Sequence, residues 1–378
     1  MFHRSSTFKE LIPLVAVSVI WFVMGWMASN ARYFQQQTLA DVGLSRLRNH
    51  LWYTETNPAR VDIEAIRGAI DALNDPYTDL IGQPATARLL ADFAGEVGIV
   101  GIKMKKQGAD LFVTQLVKEG PAEQQGVQVG DKIISIDQIM VDASLSEVDA
   151  YLLVRGPLNE PAQLVVLRGD QTLHFSIDRQ QIPLVEYELL EDQIAYVRQY
   201  SFRTESVALI EQALLDAQRQ NAKAVIWDLR QNSGGSMDAA QQILSFFVEE
   251  GLLFQAELPS GMRREFEATG NHLTSMQLIV LTSEMTVSAA ETAAAVVKTL
   301  HAGTVIGETT YGKGTIQTSE PLIDGYALHY TVAKWLDSNG EWYQDVGVAP
   351  DIEIADDQST DEDEMLEFAL NYLSEDRD

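Results

Sequence analysis

The stretch AVIWDLRQNSGG, Ala224 to Gly235, decides the fold. Its first half is a continuous apolar run, the pattern of a strand covered on both faces rather than one alternating between core and water. Its second half turns polar and closes on paired glycines, which supply backbone conformations that other residues resist at a tight strand-to-helix turn. A helix is predicted directly after it, from Met237 to Phe247. The same alternation extends both ways along the chain. Upstream, strand Ile194 to Tyr200 leads to helix Thr204 to Gln220. Downstream, a second apolar run, LIVLT (Leu278 to Thr282), leads to helix Ala289 to Leu300 and strand Thr304 to Glu308. Strands and helices in this order imply an α/β core over residues 183–355 whose sheet is covered on both faces.

The texture changes on the N-terminal side. Residues 96–182 read as a compact β-rich module, with strands Val97 to Met104 and Leu111 to Val117 about a polar turn at Lys105 to Asp110. A short helix after Gly120-Pro121-Ala122, strand Lys132 to Ile136, a helix near Leu145 to Leu153 and strand Gln163 to Arg168 follow. Residues 32–95 read as helical, with AIRGAIDAL (Ala65 to Leu73) at helical spacing and a stop at Asn74-Asp75-Pro76, because the residue before proline resists the α region. Arg4 and Lys9 precede LIPLVAVSVIWFVMGWMA (Leu11 to Ala28), eighteen residues without a charge and long enough to span a hydrocarbon core. The basic flank belongs in the cytoplasm, so residues 1–31 are expected to form a single-pass anchor in the cell membrane, with the remainder extracytoplasmic. Ser29-Asn30-Ala31 is a small-x-small site that keeps a cleaved signal peptide as the alternative. Residues 356–378 read as an acidic tail holding one docked helix, Met365 to Leu373. The fold class is therefore an α/β and β-rich multidomain chain: an N-terminal transmembrane helix, a helical segment, and the β-rich module placed before the α/β core.

Composition narrows the function. The 378 residues carry 55 acids against 27 bases, a net charge of −28, so no basic surface is expected for nucleic acid. There is no cysteine, which excludes disulfides, thiol nucleophiles and thiolate metal sites. No metal site or cofactor is expected, since HExxH and paired His/carboxylate clusters are missing. The six histidines lie in no nucleophile-elbow context, and no GxSxG occurs.

Three places could carry chemistry. Ser288-Ala289-Ala290-Glu291 opens a helix, and Ser with Glu three residues on is a capping box. The same Ser288 also stands at a strand-to-helix turn, where a hydroxyl projects beside helix N-terminal amides able to stabilise an oxyanion. Lys313, in Gly312-Lys313-Gly314, reads either as a surface lysine or as a base whose pKa burial lowers from about 10.4. In DLRQNSGG, the Gly234 amide is the candidate oxyanion donor beside its plainer reading as part of a tight turn. GETTYGKG (Gly307 to Gly314) imitates a phosphate-binding loop but has Gly314 where a Mg²⁺-binding Ser/Thr is required.

Together these pieces resemble the carboxy-terminal processing peptidases, or tail-specific proteases, over about Ala65 to Ile354. AIRGAIDALNDPYTDLI looks like the family's helix ending in Leu-x-Asp-Pro-Tyr. GIVGI (Gly98 to Ile102), GPAEQQGVQVGDKIISID (Gly120 to Asp137) and VRGPLNEPAQLVVLR (Val154 to Arg168) look like its PDZ domain. DLRQNSGG, VSAAET, YGKGTIQ and VGVAPDIEI (Val346 to Ile354) are similar to its core segments. The resemblance implies a serine endopeptidase core with Ser288 as nucleophile, Lys313 as general base and Gln317 orienting the amine. It implies Gly234 and Ala289 as oxyanion donors, and Val100, Gly101 and Ile102 as the PDZ loop that holds a substrate's C-terminal carboxylate. Ala290, Ser283 and Tyr311 depart from the residues common in the family, and none of the three replaces a reacting group. The implied partners are proteins or peptides with apolar C-termini and an activator or adaptor protein. A catalytically silent PDZ adaptor is the competing reading.

Overall fold

The computed structural model describes residues 39–50, 58–93, 97–117, 120–143, 145–158, 160–181, 183–355 and 362–375. The apolar stretch Leu11 to Ala28 lies outside the described residues; among the described ones no helix is long and apolar enough to cross a membrane. The chain divides into two compact units, one ending at Asn74 and one beginning at Asp75.

The first unit contributes α1 (Leu39–His50) and α2 (Pro58–Leu73). In α2, proline at the first turn loses no hydrogen bond, and Ile66, Ile70 and Leu73 recur at helical spacing. Asn74 ends it at φ 52°, a left-handed conformation that asparagine tolerates.

The second unit opens with β1 (Asp79–Ile81) and α3 (Gln83–Phe93). Both fall in the segment read from the sequence as N-terminal helical region. β1 is instead a strand of a sheet completed more than two hundred residues later, a pairing with no local signal. The β-rich module follows as β2 (Val97–Gly98), β3 (Ile102–Gln107), β4 (Asp110–Leu116), α4 (Pro121–Gln124), β5 (Lys132–Ile136) and β6 (Ile139–Met140). It continues with α5 (Glu147–Val154), β7 (Gly156–Pro157), β8 (Ala162–Arg168) and β9 (Gln171–Ile177). Its main sheet runs β3-β4-β5-β8-β9. The polar residues Lys105 to Gln107, expected in a turn, extend β3, because a solvent-facing hairpin end pairs its backbone whatever its side chains. Val100, Ile102, Leu111, Ile133, Leu153 and Val166 are among its buried core residues.

The α/β core comprises β10 (Val185–Leu190), β11 (Ile194–Gln199), α6 (Thr204–Arg219), β12 (Ala224–Asp228) and α7 (Met237–Leu244). After these come β13 (Leu252–Glu257), β14 (Arg263–Glu267), β15 (Gln277–Thr282), α8 (Ala289–Thr299), β16 (Thr304–Gly307), β17 (Thr315–Pro321), β18 (Ala327–Asp337), β19 (Ile352–Glu353) and α9 (Glu364–Glu375). One sheet has the order β10-β11-β12-β15-β16-β19, parallel from β11 onward. Both faces are covered. Val225, Trp227 and Val280 pack with residues of α6, α7 and α8, while Ile226, Ile279 and Leu281 face Ala369 and Leu373 of α9. A second, antiparallel sheet joins β1-β18-β13-β14, with β17 on β18.

The acid at the end of β12 is enclosed by this arrangement. Asp228 is fully buried and receives Arg230 Nη2 at 2.8 Å and the Tyr196 hydroxyl at 2.6 Å. Arg230 also reaches Asp363, just before α9, at 2.6 Å, so the same cation ties the last helix to the sheet. Arg230→Met should cost about 3–5 kcal/mol, because it strands a buried carboxylate. Chemical denaturation would measure this, and a loss below about 1 kcal/mol, typical of surface pairs, would refute it.

Candidate active site

Ser288 follows β15 through a loop stitched to the turn after β12. Ser283 N–H donates to Thr286 Oγ1 at 3.0 Å, Thr286 Oγ1 to the Leu229 carbonyl at 2.8 Å, and Val287 N–H to the Asn232 carbonyl at 2.9 Å. Ser288 itself sits at φ 60°, ψ −120°, unlike the extended backbone of an ordinary helix cap. For a residue with a Cβ this conformation costs of order 1–3 kcal/mol and persists only where its surroundings impose it. The hydroxyl makes no capping hydrogen bond to the helix. The reverse half of the capping box does form, with Ser288 N–H donating to Glu291 Oε2 at 2.7 Å.

Glu291 does more than cap. It is completely buried, and its carboxylate accepts three further hydrogen bonds from the loop carrying the lysine. Thr310 Oγ1 and Gly312 N–H each lie 2.6 Å from Oε1, and Lys313 N–H lies 2.8 Å from Oε2. A single carboxylate oxygen thus holds the backbone amides of Ser288 and Lys313. From the sequence alone, Glu291 reads only as a cap. The available signal was a lone charge among the apolar residues from Ala289 to Val297, which has to find partners if that helix is buried.

The Lys313 side chain is half-buried, with Nζ 5.1 Å from the centre of the Tyr77 ring. Burial pushes its pKa below the ordinary lysine value, against the opposing pull of the negative charges of Glu291 and Asp75. Asp75 accepts Tyr77 N–H at 3.0 Å and Thr78 Oγ1 at 2.6 Å, which fixes the turn carrying the ring. From the sequence, Asn74-Asp75-Pro76 reads as a helix stop and Tyr77 only as the end of the Leu-x-Asp-Pro-Tyr resemblance; the ring's position against the lysine depends on the remote pairing of β1 with β18.

Gln317 lies on β17, where its Nε2 donates to Thr315 Oγ1 at 2.8 Å and Thr331 Oγ1 at 3.2 Å. Among the described residues no hydrogen bond joins the Ser288 hydroxyl to the Lys313 amine, or Gln317 to that amine. Gly234, at φ 93°, abuts the serine: a Cβ there would sit 2.7 Å from the Val287 carbonyl oxygen and 2.8 Å from Ser288 Cβ. Its N–H donates to Asn232 Oδ1 at 2.8 Å, and Asn232 is itself buried and anchored to the Gln199 carbonyl at 2.9 Å. Ala289 is the first helical residue of α8 and is buried beside Gly234. A cavity of about 670 Å³ is lined by Val100, Gly101 and Ile102 of the β-rich module and by Gln231, Ser233 and Gly234 of the glycine turn, while Ser288 and Lys313 do not line it.

Glu291→Gln replaces one acceptor oxygen with a donor facing donors. It should cost about 1–3 kcal/mol of stability and speed amide hydrogen exchange at Ser288, Gly312 and Lys313 together. Unchanged exchange at those three amides would show that the carboxylate does not hold the site.

The model of peptidase family S41 matches residues 193–354, and that of the PDZ domain residues 98–178. The chain is 29% identical over 331 residues to the carboxy-terminal processing protease CtpA of Bacillus subtilis, covering 86% of this chain and 69% of that one. It is 28% identical over 317 residues to a probable CtpA-like serine protease of Staphylococcus haemolyticus, covering 82% of this chain and 63% of that one. Among solved structures, the photosystem II D1 C-terminal processing protease superposes with a TM-score of 0.66 at 26% identity, covering 92% of this chain and 95% of that one. Residues 193–354 thus form a peptidase family S41 core with a PDZ domain before it, and the chain as a whole is similar to CtpA-like serine proteases.

Proposed function

We propose that the protein is an endopeptidase that cuts exported proteins near their C-termini through a Ser288–Lys313 dyad, with the PDZ domain capturing the substrate's end. The observation that carries this reading is the shared Glu291 oxygen, which keeps nucleophile and base on one support beside the glycine turn. The cavity joining that turn to the PDZ loop supports a substrate path between capture and cleavage. Expected partners are proteins or peptides with apolar C-termini, together with an activator or adaptor protein. An anchor at Leu11 to Ala28 would hold the catalytic part outside the cytoplasm, at the cell membrane.

In this mechanism Ser288 Oγ attacks the scissile carbonyl carbon while its proton passes to neutral Lys313 Nζ. Negative charge develops on the carbonyl oxygen, where the amides of Gly234 and Ala289 receive it. Collapse breaks the C–N bond, and the lysine returns its proton to the leaving amine. Water then hydrolyses the acyl ester with Lys313 again as base. Gln317 Oε1 accepts from the amine and orients it. Two adjustments precede chemistry: the Gly234 N–H leaves Asn232 Oδ1, and the Lys313 amine closes on the Ser288 hydroxyl. These favour a resting enzyme completed by its substrate.

Wild type should cleave an unfolded protein with an apolar C-terminus, and Ser288→Ala and Lys313→Ala should each lose about 10⁴-fold or more in kcat. Equal cleavage by all three would refute the dyad, and no cleavage by any would favour a silent PDZ adaptor. The base must be neutral, so the rate should rise with pH through the Lys313 pKa, at a midpoint below the ordinary value of about 10.4. Asp75→Asn removes a charge that favours the ammonium and should move that limb to lower pH. A shift upward would contradict the assignment.

A further inference from the structure

Among the described residues, strand β3 lies at the edge of the PDZ sheet, hydrogen-bonded to β4 alone, with α5 packed near its other side. Strand residues alternate in direction, so Ile102, Met104 and Lys106 turn their N–H and C=O groups the same way. For Lys106 that way is known: its N–H donates to Glu147 Oε2 at 2.9 Å, away from β4 and toward α5. The Lys106 amine adds a second fastening, donating to the Ala143 carbonyl at 3.1 Å and to the Leu145 carbonyl. The outward edge is therefore taken at Lys106, and no protein hydrogen bond to it is formed at Ile102 or Met104 among the described residues.

We infer that Glu147 closes the peptide groove after Met104, so that the PDZ domain reads only the last three residues of its ligand. This rests on the reading that the domain captures a C-terminus. A peptide added antiparallel to β3, with its carboxylate at the Val100–Ile102 loop, pairs its last residue with Ile102 and its third-last with Met104. The next pairing position is Lys106, whose amide is spent on Glu147. A longer peptide gains nothing there unless it displaces the carboxylate. Glu147 is thus a specificity-determining residue: it sets how much of the substrate's tail the domain inspects, leaving upstream residues to the catalytic core.

The test uses the full chain in the Ser288→Ala background, so that ligands stay intact. Two peptides share the same apolar last three residues, one three residues long and the other six, with neutral upstream residues. Fluorescence anisotropy competition gives Kd for both. The two should bind the Glu147-containing protein within about twofold of each other. Glu147→Ala frees the Lys106 amide, so the six-residue peptide should bind about tenfold tighter than the three-residue one. Glu147→Gln keeps a carbonyl acceptor and should behave as the glutamate does. Glu147 is exposed at the start of α5, and an unchanged Kd for the short peptide verifies that each variant retains its groove. A tenfold gain with length while Glu147 is present, or no gain in Glu147→Ala, would overturn the inference while leaving capture intact. Failure of both peptides to bind any variant would instead remove the capture reading and this inference with it.

Discussion

The site depends on a fully buried carboxylate satisfied without a cation. Glu291 accepts four hydrogen bonds, three from backbone amides and one from Thr310. Burying a charge is costly unless its lone pairs are filled, and here every filling donor comes from the serine turn or the lysine loop. The two segments are held where the carboxylate can be satisfied, which is also where nucleophile and base would have to stand. Thr310 extends the tie, since its Oγ1 in turn accepts Val348 N–H at 2.7 Å and brings in the closing segment of the core.

The central strands of the parallel sheet were legible because they are continuous apolar runs flanked by glycine turns and helices. Trp227 and Ile226 pack on opposite faces of one strand, so β12 shows none of the alternation of a half-exposed strand. The antiparallel sheet was not legible. β13, β14 and β17 mix charged and apolar residues, and β1 has three residues whose partners lie beyond residue 326. Such strands are defined by what they pair with, and pairing partners leave no mark in a local window. Lys105 to Gln107 teaches the same lesson on a smaller scale.

The site divides along the same line. Ser288, Lys313 and Gly234 stood out because helix caps, glycine-flanked lysines and paired glycines have local signatures. Glu291, Asn232 and Tyr77 did not, because their roles lie in contacts with segments distant in sequence. Asn232 is instructive. Its side chain occupies the amide of Gly234, so one residue both shapes the glycine turn and withholds its donor at rest. Preorganisation and occupancy are two aspects of the same hydrogen bond.

The enclosure of Glu291 has a further consequence for a chain of net charge −28. Added electrolyte screens charges in contact with solvent over about 8 Å at physiological ionic strength, and it leaves groups shut inside the protein little affected. The surface pairs of this molecule, such as Arg264 with Asp238, weaken as salt rises. The support beneath serine and lysine does not, because no ion reaches it and neutral, directional donors make it up. Changes in the ionic medium therefore act on how this protein meets other molecules, while the spacing inside its site stays constant.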